Sequence, residues 1–187
     1  MMTIKEMMDK IHATAKAKGW WETARDFGEV CALIHSELSE ALECWRDGEL
    51  VTVVKNDKPE GFFVELADAV IRIYDTLHSK GLGPEEGDMD TLRDDQARAE
   101  IDREDYPGKL DTVGAQLALA HSHVSEAFSA HLTCEPDESD YSDEGLVGAL
   151  EVILAIFNEH EVDAYDTVLQ KMAYNETRPY RHGGKRA

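Results

Sequence analysis

The sequence predicts an all-α fold with a four-helix-bundle-like core, on three observations. Ala, Leu, Glu and Asp dominate the 187 residues, aromatics supply only 7%, and Val, Ile and Thr runs of strand length are scarce. That usage favours helix. Apolar residues recur at helical spacing through several long segments, and 42% apolar content suffices to bury a core. One helical phrase also appears twice, as "IHSELSEALE" from Ile34 and again as "AHSHVSEA" from Ala120.

Taken in order, Thr3 to Lys18 reads as a first helix, closed by Gly19 before a "GWWET" corner. A second runs from about Arg25 to Arg46, with Phe27, Val30, Ile34, Leu38, Ala41 and Trp45 on one face, and ends at Asp47-Gly48. A polar connection follows. A third helix is expected to start near Pro59, since proline is tolerated in a first turn, and to reach about Lys80. Residues 84–108 are acidic and poor in large apolar side chains, so they read as a linker with room for a short helix and as the segment expected to be disordered. Helical pattern resumes from Lys109 to about Leu132. An acidic loop (135–143), an apolar helix from Leu146 to Phe157 and a last helix from Asp163 to Asn175 complete the chain.

An offset of 86 aligns Gly28–Ala41 with Gly114–Ala127, with 8 of 14 positions identical, among them His35/His121, Ser36/Ser122, Ser39/Ser125 and Glu40/Glu126. "LADAVIRIYD" and "ALEVILAIFN" then match in apolar pattern. Identity at polar positions argues for duplication over two unrelated amphipathic helices. The expected organisation is two tandem helical repeats with internal pseudo-two-fold symmetry. The first is 1–83, the second is 109–187 with a basic C-terminal arm, and 84–108 links them within one compact unit.

The net charge of −20 disfavours nucleic acid and anionic membrane as partners and suits a protein that binds divalent cations. No apolar run approaches a membrane span, the N-terminus lacks a signal-peptide core, and Cys31, Cys44 and Cys134 show no paired spacing. A reducing cytoplasm is the expected location.

The chemistry concentrates in Glu37-x-x-Glu40 and Glu65-x-x-Asp68. Each i, i+3 pair shares a helix face. Acidic pairs ordinarily form solvated faces, but these sit inside the apolar stretches "CALIHSELSEAL" and "GFFVELADAVIRI", where burial of charge is costly. If the two helices pack antiparallel, four carboxylates converge, and an all-oxygen set favours Mg²⁺ or Mn²⁺ over zinc. A di-iron bundle needs Glu-x-x-His on two helices; the nearest substitute is Asp75-x-x-His78. The C-terminus adds positive charge: Lys171 and Asn175 are i, i+4, with Arg178 and Arg181 beyond, a set suited to polyphosphate.

Together these motifs resemble the MazG-like members of the all-α nucleoside triphosphate pyrophosphohydrolase superfamily, related to the dimeric dUTPases. The family's E-E-x-x-E and E-x-x-D read here as "SELSE" and "ELAD"; "KGWW" and the ending "KMAYNETRPYRHGGK" resemble a subgroup common in phages and bacteria. The resemblance implies Mg²⁺-dependent hydrolysis of a nucleoside triphosphate to monophosphate and pyrophosphate. By it Glu37, Glu40, Glu65 and Asp68 are metal ligands and catalytic residues, and Lys171, Asn175, Arg178 and Arg181 hold the nucleotide. Trp20 (or Trp21) and Lys58 are further substrate-binding candidates, against a core role for tryptophans at a helix corner. A homodimer of the internal pseudo-dimer is the candidate assembly. The preferred base is not readable.

Two departures from the family pattern shape the expectation. Ser36 replaces its first Glu, with Glu43 one i+3 step along as the candidate to compensate. In the second repeat His123 replaces the counterpart of Glu37, Gly148 falls where Glu65 should be, and Glu126 and Glu151 remain. The expected site is therefore composite, with carboxylates from repeat one and the basic arm from repeat two. His35 and His121, at the same repeat position, are expected to be structural. The alternative function is a non-catalytic nucleotide sensor or acidic interaction protein that keeps the fold.

Overall fold

The computed structural model describes residues 1–55, 57–101, 108–133 and 142–184. It is all-α apart from one short hairpin. The order is α1 (Ile4–Ala17), α2 (Phe27–Asp47), β1 (Val53–Lys55), β2 (Lys58–Glu60), α3 (Phe62–Ser79), α4 (Leu92–Arg98), α5 (Val113–Thr133), α6 (Ser142–Glu159), α7 (Ala164–Thr177) and the short α8 (Arg181–Gly184). Thr3 caps α1 in a reciprocal capping box with Glu6, and Asp26 caps α2 by accepting from the Glu29 N–H at 3.0 Å. Gly48 ends α2 in the left-handed region at φ +77, a conformation that glycine adopts without Cβ strain.

Two helical hairpins form the core. α2 packs on α3, α5 packs on α6, and the pairs join through α2 against α5 and α3 against α6; α1 and α7 cover α3. Ile34, Leu38, Phe62, Leu66, Ile73, Leu117, Leu146 and Ile153 are fully buried between these helices. Where α2 meets α5, His35 Nδ1 lies 2.7 Å from His121 Nδ1 and the rings stack at 17°. These two histidines, 86 residues apart, thus touch each other. Burial pulls both pKa values below the ordinary histidine value, and His35 adds to the effect at His121. One ring donates and the other accepts, so the pair is made by neutral imidazoles.

Two expectations need correction. The third helix does not start near Pro59. That residue belongs to β2, paired antiparallel with Val54, and α3 begins after Gly61, whose φ of +130 breaks the chain direction. A proline fits the edge of a two-stranded ribbon as well as it fits a first helical turn. Nor is 84–108 a bare linker: the short helix it had room for is α4. α4 packs on α6 and α7 with Leu92 fully buried, and Ala99 and Ile101 follow it into the core. A single large apolar residue anchors this helix, too few to show as a period. Residues 102–107, most of the 135–143 loop, Cys134, Lys185 and Arg186 lie outside the described residues.

Candidate functional site

α3 enters the core with its charged residues on the face toward α2 and α7. Glu65 is 5% exposed and Glu37 6% exposed, which for carboxylates demands compensation. Ligand oxygens of Glu37, Glu65 and Asp68 lie within 4.8 Å of one another. Glu37 takes two bonds on one oxygen, from Arg72 Nε at 2.8 Å and Nη2 at 2.6 Å. Asp68 takes Lys171 Nζ at 2.8 Å, and Asn175 Nδ2 approaches its other oxygen at 3.5 Å. Lys171 is 1% exposed, so α7 contributes a fully buried cation to an acidic cluster on α2 and α3.

These neighbours set the proton affinities. Burial pushes Glu65 up to about 7 from 4.5, with Lys171 opposing and Asp68 and Glu37 reinforcing. Burial likewise raises Glu37, against the pull of Arg72. In both, the loss of hydration on burial outweighs the opposing cation.

A cleft of about 290 Å³ opens beside the cluster. Of the residues expected from sequence, Glu37, Glu40, Glu65, Asp68, Lys58, Trp20, Asn175 and Arg178 line it. Lys171 lies beneath it through Asp68. Arg181 is placed elsewhere: its backbone N–H donates to Lys18 O at 2.9 Å and its Nη2 reaches Glu22 at 3.3 Å. Arg181 follows Pro179 and has φ +42, so the chain turns away from the axis of α7. Glu40 lies outside the three-carboxylate group; exposed on α2, it accepts from Ser36 Oγ at 3.0 Å. Ser36 therefore works as a donor where an acid was expected. Glu43 is exposed and does not line the cleft.

Sequence reading missed Arg72 and Arg25 and weighed Asp75 only beside His78; all three line the cleft. Arg72 follows Asp68 by four residues and Asp75 follows Arg72 by three, so the spacing that picked out Glu65 and Asp68 continues as one stripe. Asp75 is no metal ligand with His78. It holds His12 Nδ1 at 2.7 Å and Trp21 Nε1 at 3.0 Å, while His78 turns to Asp9 at 2.9 Å.

The donor set fits a hard divalent cation. It is all oxygen and comes from two helices, and the raised proton affinities of Glu37 and Glu65 are those a cation would relieve. The buried Asn175 Oδ1, which has no hydrogen-bond partner, is a further oxygen at the same place. Comparison with protein-family models, curated proteins and solved structures finds no match to this chain. No helix among the described residues is long and apolar enough to cross a membrane.

Proposed function

We propose that the chain hydrolyses a nucleoside triphosphate to the monophosphate and pyrophosphate in a Mg²⁺-dependent reaction, Mn²⁺ being a substitute. The observation that carries this is the convergence of Glu37, Glu65 and Asp68 within 4.8 Å at the wall of a cleft that Lys58, Asn175 and Arg178 also line. The MazG-like motifs in the sequence support the same reading. Glu37, Glu65 and Asp68 would hold the ion, Glu37 through the oxygen that Arg72 leaves free. When bound, the ion supplies charge neutralisation at the phosphates and a more acidic water.

The chain's own groups do the rest. Arg72 fixes the orientation of Glu37, and Lys171 fixes that of Asp68. Lys58 and Arg178, distant in sequence but lining one cleft, bind phosphate oxygens, which brings a polyanion to a body of net charge −20. Glu40, exposed and outside the cluster, accepts the proton of the attacking water. The composite origin of the site belongs to this proposal: carboxylates from the first of two duplicated halves, the Lys171 and Asn175 arm from the second.

A panel of ribo- and deoxynucleoside triphosphates with Mg²⁺, scored for pyrophosphate against orthophosphate, tests the reading. Pyrophosphate is the expected product. A second reading has its own observation: Arg72 and Lys171 already neutralise two of the three carboxylates, as an ion-pair network in a non-catalytic nucleotide sensor would. Nucleotide binding without product decides for the sensor.

A further inference from the structure

α3 lays Glu65 and Asp68 at one end of the cleft, Arg72 a turn on, and Asp75 beyond it. At the α-helical rise, Asp68 and Asp75 stand about 10 Å apart along the axis. The far end differs in character. Asp75 is buried and already engaged, with His12 on one oxygen at 2.7 Å and Trp21 Nε1 at 3.0 Å from each.

Arg25 beside it is held only by a long ion pair to Asp75 and a ring contact. Its side chain is 9% exposed, its Nε is buried without an acceptor, and the nearest Asp75 oxygen is 3.8 Å away, beyond hydrogen-bond range. The guanidinium rests over the Trp21 ring at 5.5 Å. Burial lowers its pKa from the ordinary arginine value, with Asp75 opposing. A guanidinium carries five N–H donors, and with Nε shut from solvent Arg25 can offer its Nη groups to the cleft it lines, where Ile11, Leu33 and Ile71 form apolar walls and Trp20 an aromatic one. A flat, apolar-faced ligand with an acceptor edge satisfies both features.

We propose that this end of the cleft is a base subsite selecting guanine, with Arg25 as its specificity-determining residue; the inference rests on the nucleotide reading above. Guanine O6 and N7 are adjacent acceptors that match the arginine fork. Adenine places an amino donor where guanine has O6, so donor meets donor. Uracil and thymine offer one acceptor on that edge. The separation along α3 sets the base at the Arg25 end while the phosphates lie at the carboxylates.

The test uses the full chain with Mg²⁺ and follows Trp20 and Trp21 fluorescence while GMP, AMP and inorganic pyrophosphate are titrated. Turnover of GTP and ATP is measured in parallel. GMP is expected to bind roughly 10- to 100-fold tighter than AMP. Arg25→Met should bring GMP to the level of AMP, and Arg25→Lys, which keeps the charge without the fork, should recover little of the difference. Equal binding of GMP and AMP to the wild-type chain overturns the subsite, even where a variant does not fold. Equal weakening of GMP, AMP and pyrophosphate in Arg25→Met also overturns it, by making Arg25 a phosphate ligand. Selective GMP binding with no pyrophosphate from any nucleotide sinks the hydrolase reading and leaves the guanine subsite standing. Pyrophosphate from GTP and ATP alike, with no binding preference, does the reverse.

Discussion

The hairpin α2/α3 and the hairpin α5/α6 have matching lengths, 21 and 18 residues in each, yet their facing surfaces differ. Both keep the serine that bonds back one turn, Ser39 to His35 O at 2.8 Å and Ser125 to His121 O at 2.9 Å. The first then sets Glu37, Glu65 and Asp68 between its helices. In the second, the His123 ring lies over Gly148, where a Cβ would come within 2.9 Å of its Nδ1. Gly145 brings α6 so near α5 that a Cβ would stand 2.6 Å from Ala127 N and His123 O. The first hairpin buries charge between its helices, matched by Arg72 of α3 and Lys171 of α7; the second removes side chains and closes backbone on backbone. Among the described residues it presents no carboxylate cluster. Keeping a helical scaffold and keeping a site are thus separable requirements.

The largest expected effect breaks the comparison at its chemical end. Glu37→Ala or Glu65→Ala should lower pyrophosphate release at least about a hundredfold, since loss of even an outer partner of a metal ligand costs on that order. Turnover within a few-fold of wild type in both variants would remove the carboxylates from the reaction.

Next in size is a pH effect confined to the first hairpin. Glu65 titrates at about 7 in the fold against an ordinary 4.5, so the folded state binds its proton more tightly than the unfolded state. Its contribution is full below about 4.5 and is lost as pH rises to about 7. In chelator, denaturant midpoints should record a loss of up to about 3 kcal/mol across that window. Mg²⁺ should restore part of it, and Glu65→Gln should flatten the profile. An unchanged profile in Glu65→Gln would assign the loss to another group.

Gly145→Ala sharpens the comparison from the second hairpin. A methyl driven against backbone cannot be absorbed by a rotamer change, and the expected cost is about 1–3 kcal/mol, read as a lowered thermal midpoint. The smallest effect is that of His123→Ala. Its ring touches Gly148 and Glu126, at 3.2 Å from the latter, and neither lines the cleft, so turnover should stay within about twofold. A loss equal to that of Glu37→Ala would end the asymmetry between the hairpins.

The long helices were legible because each carries a sustained period of large apolar residues bounded by caps such as Asp26 and Gly48. The three-residue strands carry no such pattern. Pro59 fits both a ribbon edge and a helix start, and only the pairing with Val54 decides between them. Leu92 is one apolar residue in an acidic segment, and what buries it is the distant α6 and α7. At the site, the carboxylates stood out because acids in apolar stretches are anomalous. Arg72 sits in the same stretch, but its bond to Glu37 crosses from α3 to α2, and spacing along one helix does not report partners on another. Arg25 and Asp75 are likewise joined only by tertiary packing. Arg181 lies past Pro179, and the backbone bond to Lys18 O that seats it is tertiary, so no spacing along the chain reports it.

Lys171 also makes the site readable as a clock. Acylating reagents need a solvated amine, which Lys5 and Lys10 offer readily, their side chains 42% and 47% exposed and held only in surface ion pairs with Asp9 and Glu176. Lys171, 1% exposed and held by Asp68, becomes available only when α7 lifts from α3. Its labelling rate, followed by mass spectrometry, measures how often α7 parts from α3, and on the proposed function a bound nucleotide should slow that rate.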